Sequence, residues 1–166
     1  MKDRLLRLDN FLPYRLSIAS NLVSDVISAA YSRLFGLSIA EWRLIAVIAE
    51  TDGITQQEIG VRTRMDKVTV SRAAIALTRR GLLLRAPNPR DGRSQFLTLS
   101  DAGEELYRHV APQALALEQA LFGAIPEHEL TRFAETLSRI TDTAEALLRI
   151  KTNPDTGTED TDEALG

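Results

Sequence analysis

Between Ile54 and Leu99 the chain places nine basic residues (Arg62, Arg64, Lys67, Arg72, Arg79, Arg80, Arg85, Arg90 and Arg93) against three acids, Glu58, Asp66 and Asp91. That segment carries +6 in a chain whose formal net charge is −3, so the remainder carries −9. A basic middle between acidic flanks is the footprint of a domain that offers one face to phosphates. Charge alone fits a solvated basic face with no partner equally well; spacing decides. From Lys67 to Arg80, the residues Val70, Ala73, Ala74 and Leu77 recur at helical spacing and form one apolar stripe. The opposite face carries Val68, Thr69, Arg72, Ile75, Ala76 and Arg79, with Lys67 and Ser71 at its margins. Hydroxyl and guanidinium groups among small residues suit insertion into the major groove of duplex DNA. After Asp66 this helix has no acid to repel phosphate.

A second basic feature follows. Arg90 and Arg93 flank Asp91-Gly92 inside Pro87-Asn88-Pro89-Arg90-Asp91-Gly92-Arg93, a run of turn formers. An extended arginine at a hairpin tip can enter the narrow minor groove, where the negative potential is enhanced. Asp91 is out of place on a bare phosphate-binding surface, but it fixes the loop shape if it pairs with an arginine. Other chemistries lack their residues. There is no Cys, which excludes a disulfide scaffold, a Cys-based zinc site and a thiol redox switch. Nor is there a Gly-rich phosphate loop, a paired-carboxylate motif or a Ser-His-Asp signature, so an enzyme is not expected. His109 and His128, the only histidines, fall in different expected helices, and no metal site is expected.

These side chains need a scaffold, and the sequence punctuates one. A long helix from Pro13, with apolar Ile18, Leu22, Val26 and Ala29 or Ala30, should end near Gly36. Ser38 with Glu41, and Thr55 with Glu58, are capping boxes that open two further helices, the first reaching about Glu50 and the second about Arg62. Asp66 caps the helix from Lys67 to Arg80, and Gly81 closes it. Leu82–Leu84 and Gln95–Leu99 read as two strands flanking the arginine-tipped turn. Ser100 or Asp101 caps another helix, which Pro112 should kink or divide. The last helix starts near Pro126, and Leu130, Phe133, Leu137, Ile140, Ala144 and Leu147 form an a/d seam suited to helix pairing. The expected fold is mainly α with a small β-hairpin: a winged helix-turn-helix lobe over residues 37–100, an N-terminal dimerisation helix region over 1–36 and C-terminal dimerisation helices over 101–150. Residues 151–166 form an acidic tail expected to be disordered.

Several of these segments together resemble the MarR family of bacterial regulators. They are Asp66-Lys67-Val68-Thr69-Val70-Ser71-Arg72, Arg80-Gly81-Leu82, Asn88-Pro89-Arg90-Asp91-Gly92-Arg93 and Leu97-Thr98-Leu99-Ser100-Asp101-Ala102-Gly103. Leu37-Ser38-Ile39-Ala40-Glu41-Trp42-Arg43 is similar to the start of the family's second helix, and the resemblance covers roughly Leu16 to Leu148. One departure stands out: the family's wing usually opens with Asp, and here it opens with Asn88, which keeps a turn-favouring side chain but loses a charge.

The resemblance implies a homodimer with interleaved terminal helices, gripping double-stranded DNA at a pseudo-palindromic operator whose half-sites lie about 34 Å apart. It implies recognition-helix contacts by Lys67, Val68, Thr69, Ser71 and Arg72, minor-groove contact by Arg90, and a wing braced by Arg93 with Asp91. Arg79 lies further along the same outward face. Ser38, Thr55 and Gln56 sit at helix N-termini, where backbone amides favour phosphate. It also implies repression relieved by a small aromatic or phenolic effector, an acid or its CoA thioester, with no other cofactor. Candidate effector residues are Tyr14, Arg15, Asn21, Arg33, Trp42 and Arg43, because an arginine beside an aromatic ring can fork onto a carboxylate while the ring stacks. Trp42 buried in the core with Arg43 bracing it is the competing reading. A cytoplasmic location is expected: no apolar run approaches a membrane span, and the N-terminus lacks the apolar stretch of a secretory signal. The remaining alternative is a winged-helix protein-interaction module that does not bind DNA.

Overall fold

The computed structural model describes residues 6–88, 91 and 94–152. Arg90, Arg93 and nearly all of the acidic tail lie outside the described residues. The chain forms two compact units, residues 1–121 and 122–166. In the first, a short 3₁₀ turn precedes α1 (Leu12–Phe35), then α2 (Ile39–Ala49), β1 (Ile54–Thr55), α3 (Gln56–Thr63), α4 (Lys67–Arg79), β2 (Leu83–Pro87), β3 (Gln95–Leu99) and α5 (Asp101–Phe122). The second consists of α6 (Glu127–Thr152) and the turn before it. The fold is a mainly helical winged helix with a small antiparallel sheet.

The sequence punctuation is realised closely. Ser38 Oγ accepts from the Glu41 amide while the Glu41 carboxylate accepts from the Ser38 amide, and Thr55 and Glu58 do the same at α3. Each box satisfies two amides that a helix start would otherwise leave orphaned. Asp66 accepts from the amides of Val68 and Thr69. One detail was not expected. Thr55 belongs to a third strand, β1, which pairs with β3 so that the sheet order is β1-β3-β2. A strand of two residues, the second of them the helix cap, carries no period-2 pattern by which to find it. Pro112 lies inside an undivided α5.

A single hydrophobic core fills the first unit. Leu44, Ile45 and Ile48 of α2, Ile59 of α3, Val70, Ala73, Ala74 and Leu77 of α4, and Leu83 and Leu97 of the sheet are buried together. The α4 stripe is the one its spacing predicts. Tyr31 of α1, Leu37 and Val110 of α5 belong to the same cluster, so residues on both sides of positions 36 and 100 share one core.

Ser100 and Gly103 explain how the sheet hands over to α5. Gly81 sits in the left-handed region (φ 72°), which an L side chain rarely adopts, and turns the chain out of α4. The Ser100 amide donates to the Leu82 carbonyl at 3.1 Å, and Ser100 Oγ donates to the Gly81 carbonyl at 2.6 Å and accepts from the Gly103 amide at 3.1 Å. A Cβ on Gly103 would overlap the Leu82 carbonyl oxygen. The Arg80-Gly81-Leu82 and Ser100-Asp101-Ala102-Gly103 segments, far apart in sequence, are thus one joint that fixes α5 against the end of α4.

Candidate nucleic-acid interface

The α3–turn–α4 unit presents the expected face. Arg64 at the turn adopts the left-handed conformation (φ 56°), an uncommon choice for a residue other than glycine. Asp66 then starts α4. Its Oδ2 also accepts from Thr69 Oγ1 at 2.6 Å. This hydroxyl, with the backbone amides of Thr69 and Val68, holds the Asp66 carboxyl below its ordinary range. Thr69 is therefore committed to the helix cap. Lys67, Val68, Arg72 and Arg79 are exposed, and Ser71 is half-buried at the margin of the stripe. Four of the five expected recognition-helix residues thus retain side-chain groups not occupied by the cap.

At α2 and α3 the capping boxes bring carboxylates, Glu41 and Glu58, to the helix N-termini. A phosphate at Ser38 or at Thr55 and Gln56 would find two amides of each helix already engaged, leaving only the other first-turn amides to meet it.

The base of the wing is built by Asn88, a buried polar residue. Its amide donates to the Ser94 carbonyl at 3.1 Å and its Nδ2 donates to Ser94 Oγ at 2.8 Å. The Asp91 amide donates back to the Asn88 carbonyl, and the Ser94 amide to the Asp91 carbonyl. An aspartate at position 88 has no donor for this pair when ionised. With Asn88 the side-chain bond to Ser94 is neutral and donated by the amide. Arg90 and Arg93 fall outside the described residues; Asp91 is exposed at the turn.

The six candidate effector residues do not converge within the chain. Tyr14, Arg15, Asn21 and Arg33 are exposed along α1. Tyr14 lies about 25 Å along the helix axis from Tyr31, at 1.5 Å per residue. Trp42 instead joins an aromatic cluster: its ring is stacked on Tyr107 of α5, with centroids 5.8 Å apart, and tilted against Tyr31 of α1 at 5.5 Å. Arg43 points outward, exposed. Two of the chain's three tyrosines meet its single tryptophan here. Sequence reasoning passed over Tyr31 and Tyr107 because each sits on an ordinary helical face. Burial raises the Tyr31 pKa, so its hydroxyl stays protonated. His109 approaches its own helix's Glu105 carbonyl, and His128 lies beside Glu129. Among the described residues no cluster of three His, Cys, Asp or Glu could hold a metal, and no single helix is long and apolar enough to cross a membrane.

Arg80, at the C-cap of α4, has a structural role that its sequence context did not reveal. Its Nη1 donates to the Gly36 carbonyl at 3.1 Å and approaches the Glu41 carboxylate at 3.7 Å. It ties the end of α4 to the C-terminus of α1 and the first turn of α2, a structural use.

The family model for the MarR family matches residues 35–94, from the last residue of α1 to the wing. That family is one of transcriptional regulators rather than enzymes. An uncharacterised HTH-type transcriptional regulator of Bacillus subtilis, YdcH, is 26% identical over 60% of this chain and 76% of its own. Among solved structures, the MarR family regulator Sco3205 of Streptomyces coelicolor, in complex with DNA, superposes with a TM-score of 0.75 at 23% identity, covering 86% of this chain and 91% of its own. CouR of Rhodococcus jostii RHA1, bound to p-coumaroyl-CoA, gives 0.74 at 20% identity, over 82% of this chain and 95% of its own. At those identities the two structures speak to the fold.

Proposed function

We propose that this chain is a MarR-family regulator: a sequence-specific, cytoplasmic DNA-binding repressor that acts as a homodimer and leaves its operator when a small aromatic acid or its CoA thioester binds. The carrying observation is α4. Its apolar stripe is spent in the core, its N-cap is closed by Asp66, and Lys67, Val68, Arg72 and Arg79 remain outward on a basic lobe. A helix so built can lie in a major groove while the wing reaches the neighbouring minor groove with Arg90. A DNA-bound protein shares the fold. Dimerisation is supported by apolar side chains that the chain itself leaves exposed: Ile18, Leu22 and Val26 on α1, and Phe133, Ile140 and Leu147 on α6. An effector is supported by the aromatic cluster where α1, α2 and α5 meet, because a ligand that displaces Trp42 from Tyr107 would move the lobe against the terminal helices. A protein of the same fold binds an aromatic CoA thioester.

The test is fluorescence anisotropy with the duplex upstream of the protein's own coding region and with a scrambled duplex, at two salt concentrations. The expected result is selective binding that weakens steeply with salt as phosphate contacts release counterions, and release on adding p-coumaroyl-CoA or a free phenolic acid. Binding to neither duplex, with the protein free of bound ligand, would contradict the regulator reading and favour the protein-interaction module. Selective binding unmoved by such compounds would contradict the effector alone.

A further inference from the structure

Val68 is 56% exposed at the second position of α4, between Lys67 and Arg72 on the outward face. It is β-branched and lies one turn before Arg72, and the same face continues through Ile75 and Arg79. Its own helix gives it no apolar neighbour: the buried stripe of Val70, Ala73, Ala74 and Leu77 lies on the opposite side. A valine here stays more than half exposed on folding and is a poorer helix former than alanine or lysine. The Asp66 carboxylate beside it is spent on the helix cap, and the charged side chains on its own face of α4, Lys67, Arg72 and Arg79, are cationic, so a surface that suits this face is anionic and also offers an apolar group. Duplex DNA has one such group in its major groove, the C5-methyl of thymine, which small apolar side chains contact. The side chains that start a recognition helix are the ones that reach base edges.

We propose that Val68 determines operator specificity by packing on a thymine methyl group in each half-site, beside the base or phosphate engaged by Lys67 and Arg72. The proposal rests on the regulator reading above. Its chemistry separates it from the arginine contacts, which depend on charge and salt, whereas a methyl contact depends on one carbon atom of the base.

Uracil lacks only that methyl. A duplex selected by the protein from a random pool is synthesised with each thymine replaced in turn by uracil, and wild type is compared with Val68→Ala by anisotropy. Replacement at one symmetric pair of positions should weaken wild-type binding roughly four-fold per half-site, the worth of one buried methyl group, and about sixteen-fold for both. Val68→Ala should bind the thymine duplex more weakly by a similar factor and lose the difference between thymine and uracil, while keeping the wild-type salt dependence. Being exposed, the residue can be changed without disturbing the core. The proposal is overturned if uracil is tolerated at every position, or if Val68→Ala still discriminates. A wild type that selects no duplex overturns the regulator reading itself, before any uracil is introduced.

Discussion

Helix α4 and helix α6 carry the same kind of apolar periodicity and meet opposite fates. On α4 the stripe of Val70, Ala73, Ala74 and Leu77 is at most 6% exposed. On α6 the seam residues Phe133, Ile140 and Leu147 stand 48%, 46% and 59% exposed. One stripe has found its partner inside the chain; the other has found none within its own compact unit. Periodicity identifies the face that must be covered and says nothing of what covers it. The polar faces differ too: α4 bears only cations beyond its cap, whereas α6 mixes Glu127, Glu129, Arg132, Glu135, Arg139, Asp142, Glu145 and Arg149, a solvated surface. In our reading α4 awaits nucleic acid and α6 awaits a second copy.

The contrast can be broken from either side, and the largest effect belongs to α6. The double substitution Phe133→Glu and Ile140→Glu places charges in a seam that pairing would bury. At about 4 kcal/mol for each unpaired buried charge, sedimentation equilibrium should show monomers at concentrations where wild type is dimeric, with the lobe still folded. An unchanged mass would mean that the seam is not the interface. Next comes the joint within the lobe. Gly103→Ala drives a Cβ into the Leu82 carbonyl and should cost about 3 kcal/mol, as overpacking does, seen as a lowered urea midpoint in a protein held dimeric. A midpoint within error of wild type would show that α5 can shift off the sheet freely.

The third test sharpens the α4 side. Arg72→Ala should weaken operator binding by about 1–3 kcal/mol and relax preference at one base position, the effect of losing a base contact. Thermal stability should be unchanged, because the side chain is exposed. Uniform weakening across all sequences would place Arg72 on phosphate. The smallest effect concerns the caps. Ser38→Ala should cost roughly 1 kcal/mol by removing the α2 cap. Asp66 has a depressed folded pKa, so its cap contributes fully above the ordinary carboxyl value of 3.8 and is lost as pH falls through the lower folded value. Asp66→Asn should flatten that part of the acid-side stability profile. A profile identical to wild type would show that the cap does not titrate with folding.

Much of this was legible in the residues because local chemistry decided it. Ser38 and Glu41, Thr55 and Glu58, Asp66 and Gly81 each determine a helix end through groups within a few residues. The buried and outward faces of α4 were legible for the same reason. What escaped was long-range. The pairing of Ile54 with Leu97 joins residues more than forty positions apart, and so does the reach of Arg80 to Gly36. Tyr31 and Tyr107 meet Trp42 only because three helices converge. Of the proposed effector residues, Tyr14 and Arg33 lie near opposite ends of α1, a spread that the sequence alone did not weigh.

Hydrogen exchange of the protein alone and with its selected duplex tests both halves of the contrast at once. Amides across the α6 seam should exchange slowly without DNA, and faster on dilution below the dimer's dissociation constant. Amides from Asp66 to Arg72 and around the wing should slow only when the duplex is added. An α6 that exchanges rapidly at every concentration, together with an α4 indifferent to the duplex, would contradict the dimeric DNA-binding reading in both its parts.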